Sequence, residues 1–331
     1  MIEDSIEDDE APFAFARRPC RCCAPLGAPL VVGDDAASSQ IDVVVWDSHC
    51  HVTAGAVPKN YVGIVQAVDE ADWLRVARVC RDPNLRPGFG VHPWQAHLVT
   101  DEDLAGGLAA RLRAALEAHP RAIVGEIGLC KCAKNVRGPK PQREAGWARQ
   151  AEVFRAQLGV AAALGRPASI HAVKAAGPLR AALEEAAAGV GGGPTTLSVA
   201  LHSFSGSAEH VRQLLGVERE AGPSKRLSGG SSPLRIYFGF SHTINVAMEV
   251  SSSSSSASRT KKHLDALEAA IRAVPGDRVL VESDVSEAPG SAAAATRRAV
   301  DLVARARGWS AEETARRTSD NARAWLLDDL C

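Results

Sequence analysis

The stretch Ile41-Asp42-Val43-Val44-Val45-Trp46-Asp47-Ser48-His49-Cys50-His51 decides the reading of the whole chain. Residues 41–46 form a short, β-branched apolar run of the kind that makes a buried parallel strand. The residues that follow carry His-x-His, and in extended backbone residues two apart point the same way, so two imidazoles can grip one cation. A strand that delivers metal ligands at its C-terminal end is how a (β/α)8 barrel builds its active site.

Working outward, the same alternation of short apolar runs with longer helix-like segments continues to the end of the chain. Strands are expected at 41–46, 61–68, 87–91, 121–127, 167–171, 197–202, 235–240 and 278–282. Helical patterns lie between them, for example at 103–118 and 142–164, where Ala, Leu, Arg and Glu dominate at helical spacing. Eight strands separated by helices predict an α/β fold, a (β/α)8 TIM barrel forming a single catalytic domain over 41–331. Residues 1–40 lack periodicity and read as a disordered N-terminal extension. Three stretches rich in Gly, Ser or Pro, near 189–194, 217–234 and 250–258, read as flexible insertions.

The 38 basic and 39 acidic side chains nearly cancel, so no global positive field draws the chain onto nucleic acid. Any such binding has to come from a local patch. No apolar run approaches the roughly 20 residues needed to span a bilayer, and the N-terminus opens with Glu3, Asp4, Glu7 and Asp8 in place of a basic, then apolar, leader. Cysteines at 20, 22, 23, 50, 80, 130, 132 and 331 are scattered like reduced thiols. The cluster Cys20, Cys22 and Cys23 lacks a second ligand pair at zinc-finger spacing and reads as part of a flexible tail. These features predict an intracellular protein, cytoplasmic or nuclear, with no membrane partner.

Other expected strand ends carry the same kind of side chain as the first. Glu126 closes the fourth between Gly125 and Gly128, His171 the fifth, His202 the sixth, and Asp284 follows the eighth. A lone strand histidine is usually structural, and either carboxylate alone could cap a helix. Four histidines and two carboxylates at strand ends of one barrel instead make a mixed nitrogen and oxygen site suited to Zn2+, Mn2+ or Mg2+.

At this point the chain resembles the TatD family of metal-dependent deoxyribonucleases. The resemblance rests on Asp47-Ser48-His49-Cys50-His51, Gly90-Val91-His92-Pro93, Gly125-Glu126-Ile127-Gly128-Leu129, His171, His202-Ser203-Phe204-Ser205-Gly206 and Glu282-Ser283-Asp284. It spans roughly residues 41–328, and His92-Pro93-Trp94 and Leu280-Val281-Glu282-Ser283-Asp284 look most like the family's fungal branch. The resemblance implies two divalent metal ions: His49, His51, Glu126 and Asp284 around one, with Glu126 shared by a second that His171 and His202 complete. It also implies hydrolysis of DNA phosphodiesters, from single strands or 3′ ends, as a 3′-5′ exodeoxyribonuclease. Two positions depart from the family pattern: Cys130 stands where an Asp is usual, and the proline that normally follows the last Asp at once is delayed to Pro289.

Two metal ions would activate a water for attack on phosphorus. Asp284 is a candidate to orient or deprotonate that water, with pure ligation as the alternative, and Glu126 is the candidate bridge between cations. His92 is a candidate substrate contact or a local turn contact. Lys131, Lys134 and Arg137, with Lys140 and Arg143, offer phosphate-backbone contacts or a solvated loop. Trp94 and Phe204 are candidates for base stacking or for core rim. Two other functions stay open: hydrolysis of a small amide or ester, as in amidohydrolase-type barrels, and a weakly active barrel that serves as an interaction protein.

Overall fold

Strand pairing follows chain order without exception. The computed structural model describes residues 43–189, 196–221, 233–248 and 257–327. In it β1 (Val45–Cys50), β2 (Tyr61–Gln66), β3 (Leu85–Phe89), β4 (Ile123–Cys130), β5 (Ala168–Val173), β6 (Leu197–Leu201), β7 (Leu234–Ser241) and β8 (Val279–Glu282) form one sheet. Every neighbouring pair is parallel. The chain after β8 returns to β1 through Asp284 N–H to His49 O at 3.0 Å and His51 N–H to Val285 O at 2.9 Å, which brings the sheet round into a barrel.

Parallel strands need crossovers; the β1–β2 connection, residues 51–60, carries no helix, and the other crossovers are built on helices. They are α1 (Trp73–Val79), α2 (Leu108–Ala118), α3 (Lys140–Leu164), α4 (Ala176–Gly189), α5 (Ala208–Ala221) and α6 (Ala257–Ala273), followed by α7 (Pro289–Arg307) and α8 (Ala311–Leu326) after the last strand. Alternation along each strand sorts the apolar side chains into two layers. Val199, Leu201, Ile236 and Phe238 face outward and pack with helix residues such as Val211 and Leu214. Their alternates Ala200 and Tyr237 face inward with Trp46, Ile64, Ile123 and Leu280, and Trp325 and Leu326 of α8 pack against this inner group. The inner group lies toward the N-terminal ends of the strands, which leaves the C-terminal mouth for polar side chains.

All eight expected strands exist, with shifted limits. β1 begins at Val45 and runs to Cys50, so His49 lies within the strand. β4 and β5 extend past Glu126 and His171 because their ladder continues as Gly128↔His171, Leu129↔Ala172 and Cys130↔Val173. The candidate ligands therefore sit inside the barrel mouth, on paired backbone. The insertion expected at 217–234 is shorter than anticipated: α5 continues through Ala221, with Val211, Leu214 and Val217 making one buried stripe, and β7 starts at Leu234. Likewise α6 already includes residues 257 and 258, and Gly189 ends α4. The extension 1–40, Cys20, Cys22, Cys23 and the remaining parts of the three insertions lie outside the described residues.

One glycine governs the β4–β5 contact. Gly128 has φ +146°, and a Cβ there would stand 2.0 Å from the carbonyl oxygen of His171. That neighbour is backbone in a ladder and cannot swing away. Gly128→Ala is expected to destabilise the protein by about 3 kcal/mol or more, read as a fall of about 6 °C or more in Tm. An unchanged Tm would show that the two strands tolerate separation here.

Candidate metal centre

The ligand-bearing end of β1 is held by a carboxylate on its other face. Asp47 is fully buried between strand and helix layer. Its Oδ1 accepts from His49 N–H at 3.2 Å and Ser283 N–H at 2.9 Å, while Oδ2 accepts from Tyr61 OH at 2.8 Å and Thr296 Oγ1 at 3.0 Å. Burial pushes its pKa up to about 7 against these hydrogen bonds. The β1–β2 ladder shifts register between Asp47 and Cys50, which lets Asp47 face the helices while His49 and His51 face the mouth.

Glu126 is the centre of the mouth. Its Oε2 lies 3.4 Å from His49 Nε2 and 3.4 Å from His51 Nε2. Those two nitrogens are 3.3 Å apart, and Asp284 Oδ1 stands 3.8 Å from the first and 3.6 Å from the second. Ligands bonded tetrahedrally at about 2.1 Å have edges of about 3.4 Å, so this group matches the spacing a bound cation needs. The other oxygen, Oε1, lies 2.9 Å from His171 Nδ1 and 2.8 Å from His202 Nε2, with the two nitrogens 3.0 Å apart. This second group is tighter and would open slightly around an ion.

Charge at the site is governed by burial and by Glu126. Burial opposes ionisation of Glu126, but the imidazoles of His92, His202 and His49 outweigh it and hold the carboxyl well below its usual range. Burial lowers His49 and His92. Against burial, hydrogen bonding to Cys130 and Glu126 lifts His171 to about 9, and Glu126 raises His51 and His202. The donor set fits a divalent cation: ring nitrogens that face each other at 3.3 Å beside a shared carboxylate need a positive charge between them.

The second nitrogen of each ring decides what the first can do. His51 Nδ1 lies 3.1 Å from Gln66 O, which can only accept, so Nδ1 carries the proton and Nε2 offers a lone pair. His49 Nδ1 lies 2.9 Å from Ser169 Oγ, which permits the same arrangement. His92 is the reverse: its Nδ1 accepts from Trp94 N–H at 3.1 Å, so its single proton sits on Nε2 and points at Glu126 Oε1 at 3.1 Å. Distance alone admits His92 with Glu126 and His171 as a metal-holding group, alongside the groups His49, His51, Asp284 and His49, Glu126, His202. Its tautomer makes it a donor instead.

The sequence-derived residues therefore converge, with qualifications. His49, His51, Glu126, His171, His202 and Asp284 meet in one cluster, and His92 joins them. Lys131, Lys134 and Arg137 are exposed just beyond the C-terminal end of β4, whereas Lys140 and Arg143 belong to the first turn of α3 and not to the loop. Trp94 stands edge-on to His92, with ring centroids 4.7 Å apart, at the site's rim. Phe204 is buried against Phe238 and Phe240, so it is core and cannot stack a base. Cys130 is buried, its backbone gripped by Gln150 on both sides, and its thiol stands beside His171. The residues that sequence reasoning missed are Ser169, Gln66 and Glu282, each of which touches a ligand ring from behind. Strand alternation two residues from Glu282 to Asp284 was the available signal for the last.

An eight-stranded barrel with clustered imidazoles and carboxylates at its C-terminal mouth defines a metal-dependent hydrolase. The family model for TatD related DNase matches residues 46–327, and the chain belongs to that family. It is 24% identical to the Cut9-interacting protein scn1 of Schizosaccharomyces pombe over 359 aligned residues, covering 85% of this chain and 98% of that protein. Among solved structures it resembles the TatD homolog YJJV of Escherichia coli, with TM-score 0.59, 20% identity, and coverage of 86% and 98%. An uncharacterized amidohydrolase of Saccharomyces cerevisiae is similar at TM-score 0.57 and 12% identity, covering 86% of this chain and 99% of that one. No helix among the described residues is long and apolar enough to cross a membrane. Among the same residues no disulfide involves Cys50, Cys80, Cys130 or Cys132.

If Asp47 is the clip that aims β1, removing it strands buried donors on β1, β2, α7 and the turn after β8. Asp47→Ala is expected to cost about 4 kcal/mol, seen as a lower urea midpoint at unchanged m, with Asp47→Asn costing less. Equal midpoints for wild type and Asp47→Ala would remove this role.

Proposed function

We propose that the chain is a nuclease that hydrolyses DNA phosphodiesters from 3′ ends, with His49, His51, Glu126 and Asp284 holding one divalent ion and Glu126, His171 and His202 a second. The observation that carries the reading is the single carboxylate of Glu126 lying between two imidazole pairs, one oxygen to each. Mg2+, Mn2+ and Zn2+ all suit these donors, and such ions supply a lowered pKa for water and neutralisation of phosphate charge.

The chain's own groups do the rest. Asp284, at 15% side-chain exposure against 4% for Glu126, is the carboxylate that an entering water meets first, so it orients that water and takes its proton. The water oxygen bonds to phosphorus, the bond to the sugar O3′ breaks, and the departing oxygen takes a proton from solvent. His92, whose Nε2–H points at Glu126 Oε1, shares that proton with a phosphate oxygen brought to the mouth. Lys131, Lys134 and Arg137 hold the backbone further along the strand, where a nearly neutral protein needs a local patch.

Purified protein should release nucleotides from 3′-labelled single-stranded DNA with Mg2+ or Mn2+ and not with EDTA, and His49→Ala or Glu126→Ala should lower the rate by roughly 10³-fold or more. Release that survives both substitutions would sink the assignment. Replacing Lys131, Lys134 and Arg137 together by Ala should weaken DNA binding and flatten the salt dependence by about two units of logarithmic slope, because about 0.7 is lost per single-strand phosphate contact. A slope that does not change would return these residues to a solvated loop.

The name of the fission-yeast relative, a Cut9-interacting protein, supports a second reading, in which the barrel binds another protein. Metal bound without turnover of phosphodiesters would favour it, and turnover of amides or esters alone would favour the amidohydrolase-type function.

A further inference from the structure

Glu282 is buried at the end of β8, with 1% exposure, and no part of the hydrolytic scheme above uses it. Its side chain occupies a slot over β7 that exists because residue 239 is glycine: a Cβ there would stand 2.1 Å from Glu282 Oε2. Oε2 accepts from Ser48 Oγ at 3.1 Å. Oε1 accepts from Ser203 Oγ at 2.9 Å and from Ser203 N–H. The same Oε1 lies 3.6 Å from His202 Nδ1, a buried nitrogen that has no hydrogen-bond partner, while the ring's other nitrogen lies 2.8 Å from Glu126 Oε1.

We infer that Glu282 is the positioning residue for His202, accepting the Nδ1 proton of its imidazole and so presenting the Nε2 lone pair to the ion that Glu126 shares. The inference rests on the metal-centre reading above. A histidine that binds a metal through one nitrogen usually donates the other to a carboxylate or carbonyl, which sets both tautomer and ring direction. His51 has its carbonyl in Gln66 O, and His49 has Ser169 Oγ. For His202 the nearest acceptor is Glu282 Oε1, since Asp284 Oδ2 stands at 4.0 Å, and closing 3.6 Å to bonding distance gives the orphaned buried nitrogen its partner. Ser203 Oγ also reaches Asp284 Oδ2 at 3.4 Å, so the hydroxyl ties this carboxylate to a ligand of the first ion as well.

A brace between strands would use the same Ser48 and Ser203 contacts, so the test reads the ring itself. In full-length protein carrying 15N-histidine and loaded with Zn2+, at a pH where the rings are neutral, His202 is expected as the Nδ1–H tautomer, its signals assigned by their loss in His202→Gln. Titration with Mn2+ alone should be weakened about 10- to 100-fold in Glu282→Gln. Glu287→Gln, which alters an exposed carboxylate five residues further on, should leave affinity and tautomer as in wild type. An Nε2–H His202 in the wild type, or unchanged Mn2+ affinity in Glu282→Gln, overturns the inference. If Glu282→Gln does not fold, the wild-type spectrum decides alone. A wild type that binds neither Zn2+ nor Mn2+ would remove the metal-centre reading and this inference with it, whereas metal binding with an Nε2–H His202 overturns the inference alone.

Discussion

Glu126 sits 3% exposed within hydrogen-bonding or near-contact distance of five imidazoles, and the architecture of the barrel mouth follows from satisfying that one buried carboxylate. A lone ionised carboxyl at this depth would be expelled or protonated. It is retained because β1, β4, β5 and β6, with the turn after β3, each deliver a histidine or the acid itself to the same point. The convergence requires parallel strands in chain order, since only that arrangement puts every strand's C-terminal end at one mouth.

Around this centre the histidines divide by what stands behind them. A carbonyl or hydroxyl at the rear nitrogen leaves a lone pair at the front, as for His51 and His49, whereas a backbone N–H at the rear leaves a proton at the front, as for His92. Identical side chains therefore offer a lone pair or a proton according to contacts made by neighbouring strands and turns. Asp47 works on the same principle from outside the sheet, where four donors, from β1, β2, α7 and the turn after β8, hold the His-x-His end of β1 at a fixed angle. Cys130 keeps the place beside His171 with a thiol, which preserves a neighbour for that ring without adding a carboxylate to the mouth.

Much of this was legible in the linear chain. Alternation of apolar runs with helical segments marked all eight strands, and the chemistry-bearing residues stood where those runs end. The limits were less legible, because β4 and β5 run on past Glu126 and His171 for as long as their ladder can pair, and pairing is a property of two strands at once. The Gly- and Ser-rich segment after residue 216 misled in the same way: composition favoured a loop, but Val217 is buried and Glu218 pairs with Arg278 at 3.1 Å, so α5 continues. Phe204 looked available for stacking because its strand-end position says nothing of Phe238 and Phe240 beside it.

By itself the sequence determined the class of fold, the identity of the side chains at the mouth and their suitability for a hard or borderline divalent ion. These depend on residue type, period and order, which are local properties. Only the tertiary structure decided which ring nitrogen faces the centre, which carboxylate lies between the imidazole pairs and which stands nearest the solvent, and which buried groups support the rings from behind. Those depend on distances between residues far apart in the chain, such as Ser48 to Glu282 or Asp47 to Thr296, which come into being only when the barrel closes.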